Sequence, residues 1–216
     1  FDMDGLLVDT EPLTDIALET VLAAHQCQVT WTPELNERLM GRRMSEILAV
    51  LHGLCGLAMP VANLHAHFEQ VRLEVIRGRL TLLPGAAELL AFAHARRLPL
   101  ALGTSGFRTY VEAILTELEL ANTFDVVVTG DEVTHGKPAP DVYLQAVQGL
   151  GVPAAQCVVF DDAPAGIAAA VAAGTRAIAV PNQFTRNLRF APAPECTLPD
   201  LHAAIPWLAD QVQQAK

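Results

Sequence analysis

Residues 1–11 read FDMDGLLVDTE. Phe1, Met3, Leu6, Leu7 and Val8 make the apolar run of a buried strand end, yet Asp2, Asp4 and Asp9 interrupt it. Asp has poor strand propensity, and a charged side chain is almost never fully buried without a partner. Two acids spaced i and i+2 at a strand end therefore demand a partner, and the sheet this strand joins decides what that partner can be.

From residue 84 onward, helix-like and strand-like segments alternate. PGAAELLAFAHARR at 84–97 places Leu89, Leu90 and Ala93 on one helical face, and LPLALG at 98–103 follows as a short apolar run bounded by turn residues. Residues 107–120 carry Tyr110, Val111, Ile114, Leu115 and Leu118 at helical spacing, and DVVVTG at 125–130 reads as a strand. Residues 139–150 read as a helix, CVVF at 157–160 as a strand, PAGIAAAVAAG at 164–174 as a helix with a Gly stop, and RAIAV at 176–180 as the last strand. Unbroken apolar strands between helices imply a parallel sheet covered on both faces. The predicted core is a doubly wound, Rossmann-like α/β fold.

About seventy residues separate the first strand from this alternation, too many for one crossover. Leu13, Ile16, Ala17, Val21 and Ala24 lie on one helical stripe, and Val61, Leu64, Phe68, Val71 and Val75 on another. Thr32 before Pro33 is an N-cap and first-turn signature, and Ser45 can cap a helix through Leu51. The pattern predicts a small helical domain over 14–80, inserted into a core made of 1–13 and 81–216.

Composition narrows the partners. The chain has 216 residues, 51% of them apolar, and a formal charge of −10. An acidic surface suits neither a nucleic-acid backbone nor an anionic membrane, so any phosphate must be held by a few aimed groups. Cys27, Cys55, Cys157 and Cys196 form no CxxC and no zinc-like spacing, which predicts reduced packing thiols in a cytoplasmic protein. The most apolar segment, Ala163 to Ala173, is far too short to span a bilayer, and a soluble protein is expected. No initiator Met precedes Phe1, which already reads as part of a strand, so upstream residues are expected. Periodicity identifies no exposed apolar patch, and monomer and homodimer both stay open.

In open α/β sheets the working side chains collect at the carboxyl ends of the strands. Those ends hold Asp2 and Asp4, Thr104 and Ser105, Gly130 and Asp131, and Asp161 and Asp162. Asp131 and Asp9 read as turn or cap residues. Carboxylates about 6 Å apart repel by about 3 kcal/mol at an effective dielectric near 20, so two such pairs need a cation or a proton between them. Carboxylate oxygens and few ligands favour Mg²⁺ with several waters, with Asp2 and Asp162 as first ligands. Lys137 in HGKPAPDVY lies just ahead of a Pro-started helix, and with Thr104 and Ser105 it makes a receptor for a tetrahedral oxyanion. His65 and His67 stand two apart on a helix and do not face each other, and His135 is a weak candidate for touching substrate.

DMDGLLVDTE, LGTSG, HGKPAPD and VVFDDAPAGIAAA, in this order, resemble the four successive motifs of the haloacid dehalogenase superfamily. The inserted segment resembles the cap of the branch that contains β-phosphoglucomutase and many sugar-phosphate and nucleotide-phosphate phosphatases, and the chain is similar to pseudouridine-5′-phosphatase-like members. The resemblance implies Asp2 as nucleophile, Asp4 as general acid and base, Thr104 and Lys137 as phosphoryl holders, and Mg²⁺ on Asp2, the backbone oxygen of Asp4, and Asp162. It implies a phosphatase acting on a small phosphorylated metabolite, with a phosphomutase or a non-catalytic phosphate sensor as alternatives. Many members have Glu-Asp-Ser where this chain has Asp161, Asp162 and Ala163, which leaves direct ligation by Asp161 open. Mutase relatives often carry His where Thr14 stands, which leans towards hydrolysis. Arg42 and Arg43 are candidates for presenting charge to the cleft, and Glu11, Leu83 and Pro84 for closure points.

Overall fold

The computed structural model describes residues 1–39 and 44–214. The chain separates into two compact units, one made of Phe1–Asp9 with Leu80–Lys216 and the other of Thr10–Arg79. Arg42 and Arg43 lie outside the described residues.

The inserted unit is helical, with α1 (Glu11–Ala24), α2 (Pro33–Leu39), α3 (Met44–Leu54) and α4 (Val61–Ile76). Helix α1 buries Leu13, Ala17, Leu18, Val21 and Leu22 against α4, which turns in Leu64, Phe68 and Val71. The expected α1 stripe is corrected: Ile16 and Ala24 are exposed, because Leu18 and Leu22 bring more apolar surface to the same face. Thr32 Oγ1 accepts the Leu35 N–H at 3.2 Å and caps α2. Ser45 does not cap α3, which already begins at Met44.

Cysteine pairing also departs from expectation. Cys27 and Cys55 form a disulfide with their Cα atoms 5.4 Å apart, while Cys157 and Cys196 are free thiols. Cys55 directly follows α3 and Cys27 lies three residues past the end of α1, and both pack into one apolar cluster. A separation of 28 residues carries no motif, so the tertiary packing alone brings them together.

In the core unit β1 (Ala101–Gly103) pairs with β2 (Val126–Val128), and β3 (Val158–Asp161) pairs with β4 (Arg176–Ala179), all parallel. The opening residues join the two pairs. Phe1 donates from its amino group to the Ala101 carbonyl and accepts from Gly103 N–H, each at 2.8 Å, and Asp2 N–H donates to the Phe160 carbonyl at 3.0 Å. Phe1 and Asp2 thus run between β1 and β3. RAIAV is not the last strand: β5 (Cys196–Thr197) adds in parallel to β4, and two residues are too few to show a period.

Helices α5 (Ala86–Ala95), α6 (Arg108–Glu117), α7 (Asp141–Leu150) and α8 (Pro164–Ala172) fall in the alternating segments, and α9 (Leu201–Gln214) follows β5. Both sheet faces are covered. Val159 packs with Val142, Ala146, Ile167 and Ala170 of α7 and α8. The next residue, Phe160, points to the opposite face, where it stacks on Phe1 and meets Trp207 of α9 edge-on at 6.0 Å. The chain leaves and re-enters this unit through a two-stranded ribbon, in which Val8 bridges Leu82 and Asp9 N–H donates to Thr81 O at 3.0 Å. Leu83 belongs to that ribbon and Glu11 opens α1. Among the described residues no helix is long and apolar enough to cross a membrane.

Candidate active site

The strand ends deliver their polar residues to one rim. Asp2 leaves the position between β1 and β3, Thr104 follows β1, and Asp161 and Asp162 end and follow β3. Asp2, Asp161 and Asp162 are all buried, and one carboxylate oxygen from each lies within 4.8 Å of the others. Lys137 is buried among them, donating to Asp2 Oδ1 at 2.6 Å, to Asp161 Oδ2 at 2.9 Å and to the Tyr143 hydroxyl at 2.8 Å. Tyr143 in turn donates to Asp161 Oδ2 at 2.5 Å, and Ala163 N–H donates to Asp161 Oδ1 at 3.0 Å. Asp161 thereby accepts three protein donors and anchors the lysine.

On the other side of the cluster, Asn182 Nδ2 donates both to Asp162 Oδ2 at 2.9 Å and to the Gly5 carbonyl at 3.0 Å. Its Oδ1 accepts the N–H groups of Phe184 and Thr185, and Thr185 Oγ1 adds a bond to Asp162 Oδ2 at 3.2 Å. This amide ties the turn after Asp4 to the second β3 acid. Gly5 makes the approach possible: it holds φ +76°, and a Cβ there would lie 2.6 Å from Asn182 Nδ2.

Asp4 faces another group. Its Oδ1 accepts the hydroxyl of fully buried Tyr110 at 2.8 Å. Thr104 is buried, and its Oγ1 accepts the Gly106 N–H at 3.1 Å, which orients the hydroxyl. Ser105, beside Thr104 just after β1, is exposed.

Electrostatics follow from burial. Loss of water pushes the Asp2 carboxyl up to about 7, against the pull of Lys137 and with the help of Asp161 and Asp4. Burial pulls the Lys137 ammonium down, but Asp161 and Asp2 outweigh it and hold the pKa well above its usual value. Tyr143 is raised well above the usual phenol value by burial and by Asp161, and so stays a donor. One ammonium faces three carboxylates, and the donor set is hard oxygen throughout, which fits a hard divalent cation.

A family model described as haloacid dehalogenase-like hydrolase matches residues 1–174. The chain belongs to this family. Among curated haloacid dehalogenase relatives, Protein CbbY of Rhodobacter capsulatus is 38% identical over 212 residues, covering 94% of this chain and 93% of its own. The Drosophila melanogaster protein named "Probable pseudouridine-5′-phosphatase" is 36% identical, covering 84% and 80%. A solved structure of mutant CbbY from Rhodobacter sphaeroides in complex with xylulose-(1,5)bisphosphate superposes with a TM-score of 0.84 at 30% identity, covering 93% of this chain and 92% of that one.

In this haloacid dehalogenase-like hydrolase Tyr110, Tyr143, Asn182 and Thr185 join the site without a motif that marks them. Asn182 was within reach, since Val180, Pro181 and Asn182 follow β4 and the strand-end rule applies there too. Tyr143 ends HGKPAPDVY, and Tyr110 falls on the apolar stripe of its helix, where spacing alone reads it as core. His135 is exposed and pairs with Asp141 at 3.1 Å. Asp131 accepts the Arg108 N–H at 3.0 Å at the start of α6, a capping role. His67 meets His25 at 2.9 Å within the inserted unit.

Proposed function

We propose that the protein is a Mg²⁺-dependent phosphatase that hydrolyses a small phosphorylated metabolite, a sugar or nucleoside monophosphate, through an aspartyl-phosphate on Asp2. The observation that carries this reading is the buried Lys137 ammonium 2.6 Å from Asp2 Oδ1, beside Asp161 and Asp162. Phosphoryl transfer asks a protein mainly for positioning and charge stabilisation, and a carboxylate next to a fixed ammonium supplies both. The relatives support the substrate class, one being named for a nucleotide phosphatase activity and another crystallised with a sugar bisphosphate.

Asp2 attacks phosphorus, forming an O–P bond as the ester P–O bond breaks. Asp4 gives its proton to the departing alkoxide, then takes one from the water that attacks the phosphoryl group, releasing phosphate and restoring Asp2. Lys137, Thr104 and Ser105 hold the phosphoryl oxygens. Asp2, the backbone oxygen of Asp4, and Asp162 would hold Mg²⁺, which when bound offsets the charge of the carboxylates and the phosphoryl group. The Thr10–Arg79 unit is assigned the choice of substrate and the exclusion of water, as a cap. The acidic surface and the small-molecule chemistry suit a metabolic enzyme with no nucleic-acid or membrane partner.

The test is a screen of phosphorylated metabolites for phosphate release. Release that needs Mg²⁺, stops with EDTA and falls by at least about a thousandfold in Asp2→Asn is the expected result. Wild-type rates in both Asp2→Asn and Asp4→Asn would overturn the assignment. Isomerised product with little free phosphate would select a mutase.

A further inference from the structure

Tyr110 lies on α6, fully buried, with its hydroxyl 2.8 Å from Asp4 Oδ1. Its ring fills the core beside Gly106, where a Cβ would come within 3.0 Å of Tyr110 Cδ1. A phenylalanine would fill that space as well, so the packing does not require the hydroxyl. A buried phenol hydroxyl needs an acceptor, and the carboxylate it meets here belongs to the proposed proton-transfer residue rather than to the backbone of its own helix. The bond is directional, and the accepting oxygen keeps it whether the carboxyl is ionised or carries its proton on the other oxygen. It tethers one oxygen of Asp4 and so fixes the direction in which the other faces.

We infer that Tyr110 is a positioning residue for proton delivery: it aims the Asp4 carboxyl at the leaving oxygen of the substrate. The inference rests on the acid–base role proposed for Asp4. A carboxyl held by this bond delivers its proton in line with the breaking P–O bond, whereas one that has lost it is aimed less closely. The effect belongs to one chemical event, protonation of the leaving group. It must therefore vanish for an ester whose leaving group departs as a stable anion.

The experiment compares full-length wild type with Tyr110→Phe on two esters, an alkyl phosphate taken from the substrate screen and p-nitrophenyl phosphate, reading kcat/KM. This parameter reports events up to the first irreversible step and excludes later hydrolysis of the phospho-enzyme. Tyr110→Phe is expected to lower the alkyl value by about tenfold or more, within the range of general acid catalysis, and the aryl value by less than about twofold. Asp4→Asn is expected to show the same split, only larger. The ratio of the two kcat/KM values does not depend on how much enzyme is folded, so a destabilised variant still gives an answer. An equal loss on both esters, or no loss on either, overturns the positioning role of Tyr110. An active wild type whose Asp4→Asn variant shows no split overturns the acid–base role of Asp4 and this inference with it. A screen in which the wild type releases phosphate from no ester overturns the phosphatase reading itself.

Discussion

Gly166 stands against the carboxylate of Asp161, so close that a Cβ on Gly166 would lie 1.8 Å from Asp161 Oδ2 and 2.0 Å from its Cγ. The helix that begins at Pro164 is thereby pressed onto the acid that holds Lys137. Replacing a helical Gly by Ala normally gains about 1 kcal/mol in propensity. Here the clash dominates, because Asp161 is fixed by Lys137, Tyr143 and Ala163 N–H and has nowhere to go. Gly166→Ala is expected to lower stability by about 2 kcal/mol or more, against the propensity trend, and to cost most of the phosphatase activity. Urea unfolding and turnover measured together check this, and a stabilised, fully active Gly166→Ala would contradict the contact.

Removing the ammonium tests the charge balance. Lys137→Met leaves Asp2 and Asp161 buried without their cation, a change that costs about 3–5 kcal/mol when one partner of a buried pair is lost. Added Mg²⁺ is expected to recover part of the stability but little of the turnover, since the metal replaces charge and not the lysine donor. Denaturant curves in EDTA and in Mg²⁺ separate the two effects. Equal stability of Lys137→Met and wild type in EDTA would argue against the buried pair.

A pH dependence follows from Asp2. Its folded-state pKa is pushed from 3.8 up to about 7, so between these values the folded protein binds more protons than the unfolded chain. Stability contributed by this group is therefore lost as pH rises from about 4 to 7. Lys137 does not mask the slope, because its pKa is raised above 10.5 and its contribution is present throughout that window. Melting in EDTA at pH 5 and pH 8 is expected to show wild type falling more than Asp2→Asn, with Mg²⁺ removing the difference at pH 8. Parallel curves for the two proteins would leave Asp2 without a perturbed carboxyl.

The inserted unit carries its own test. The Cys27–Cys55 bond closes a loop with a separation of 28 residues, worth about 3.5 kcal/mol in the chain-entropy estimate. Reductant is expected to lower the unfolding midpoint of wild type towards that of the Cys27→Ser, Cys55→Ser double variant and to leave that variant unchanged. Thiol counting in denaturant should give two reactive groups before reduction, Cys157 and Cys196, and the full set of four after it. Four thiols without reductant would show the pair to be reduced.

Much of this protein was legible because its signals are local. Val126–Val128 and Val158–Asp161 are unbroken apolar runs, and such runs between helices can only be parallel strands buried on both faces. Asp2, Asp4, Thr104 and Asp162 are legible as candidates because a strand's carboxyl end is itself a sequence position, and Lys137 because it stands just ahead of a Pro-started helix. Local pattern failed where an element was too short, as in β5, or where two helical stripes were nearly equal in apolar content, as in α1.

By itself the sequence determined the fold class and the chemical types gathered at the rim, since periodicity and strand-end spacing are properties of the chain alone. Only the tertiary structure decided which groups touch: that Tyr143 and Lys137 converge on Asp161, that Asn182 grips Asp162 and Gly5, that Tyr110 meets Asp4, and that Cys27 joins Cys55. These pairs lie far apart along the chain for the most part, and a hydrogen bond or a disulfide depends on ångström-scale distances that packing sets and no spacing encodes.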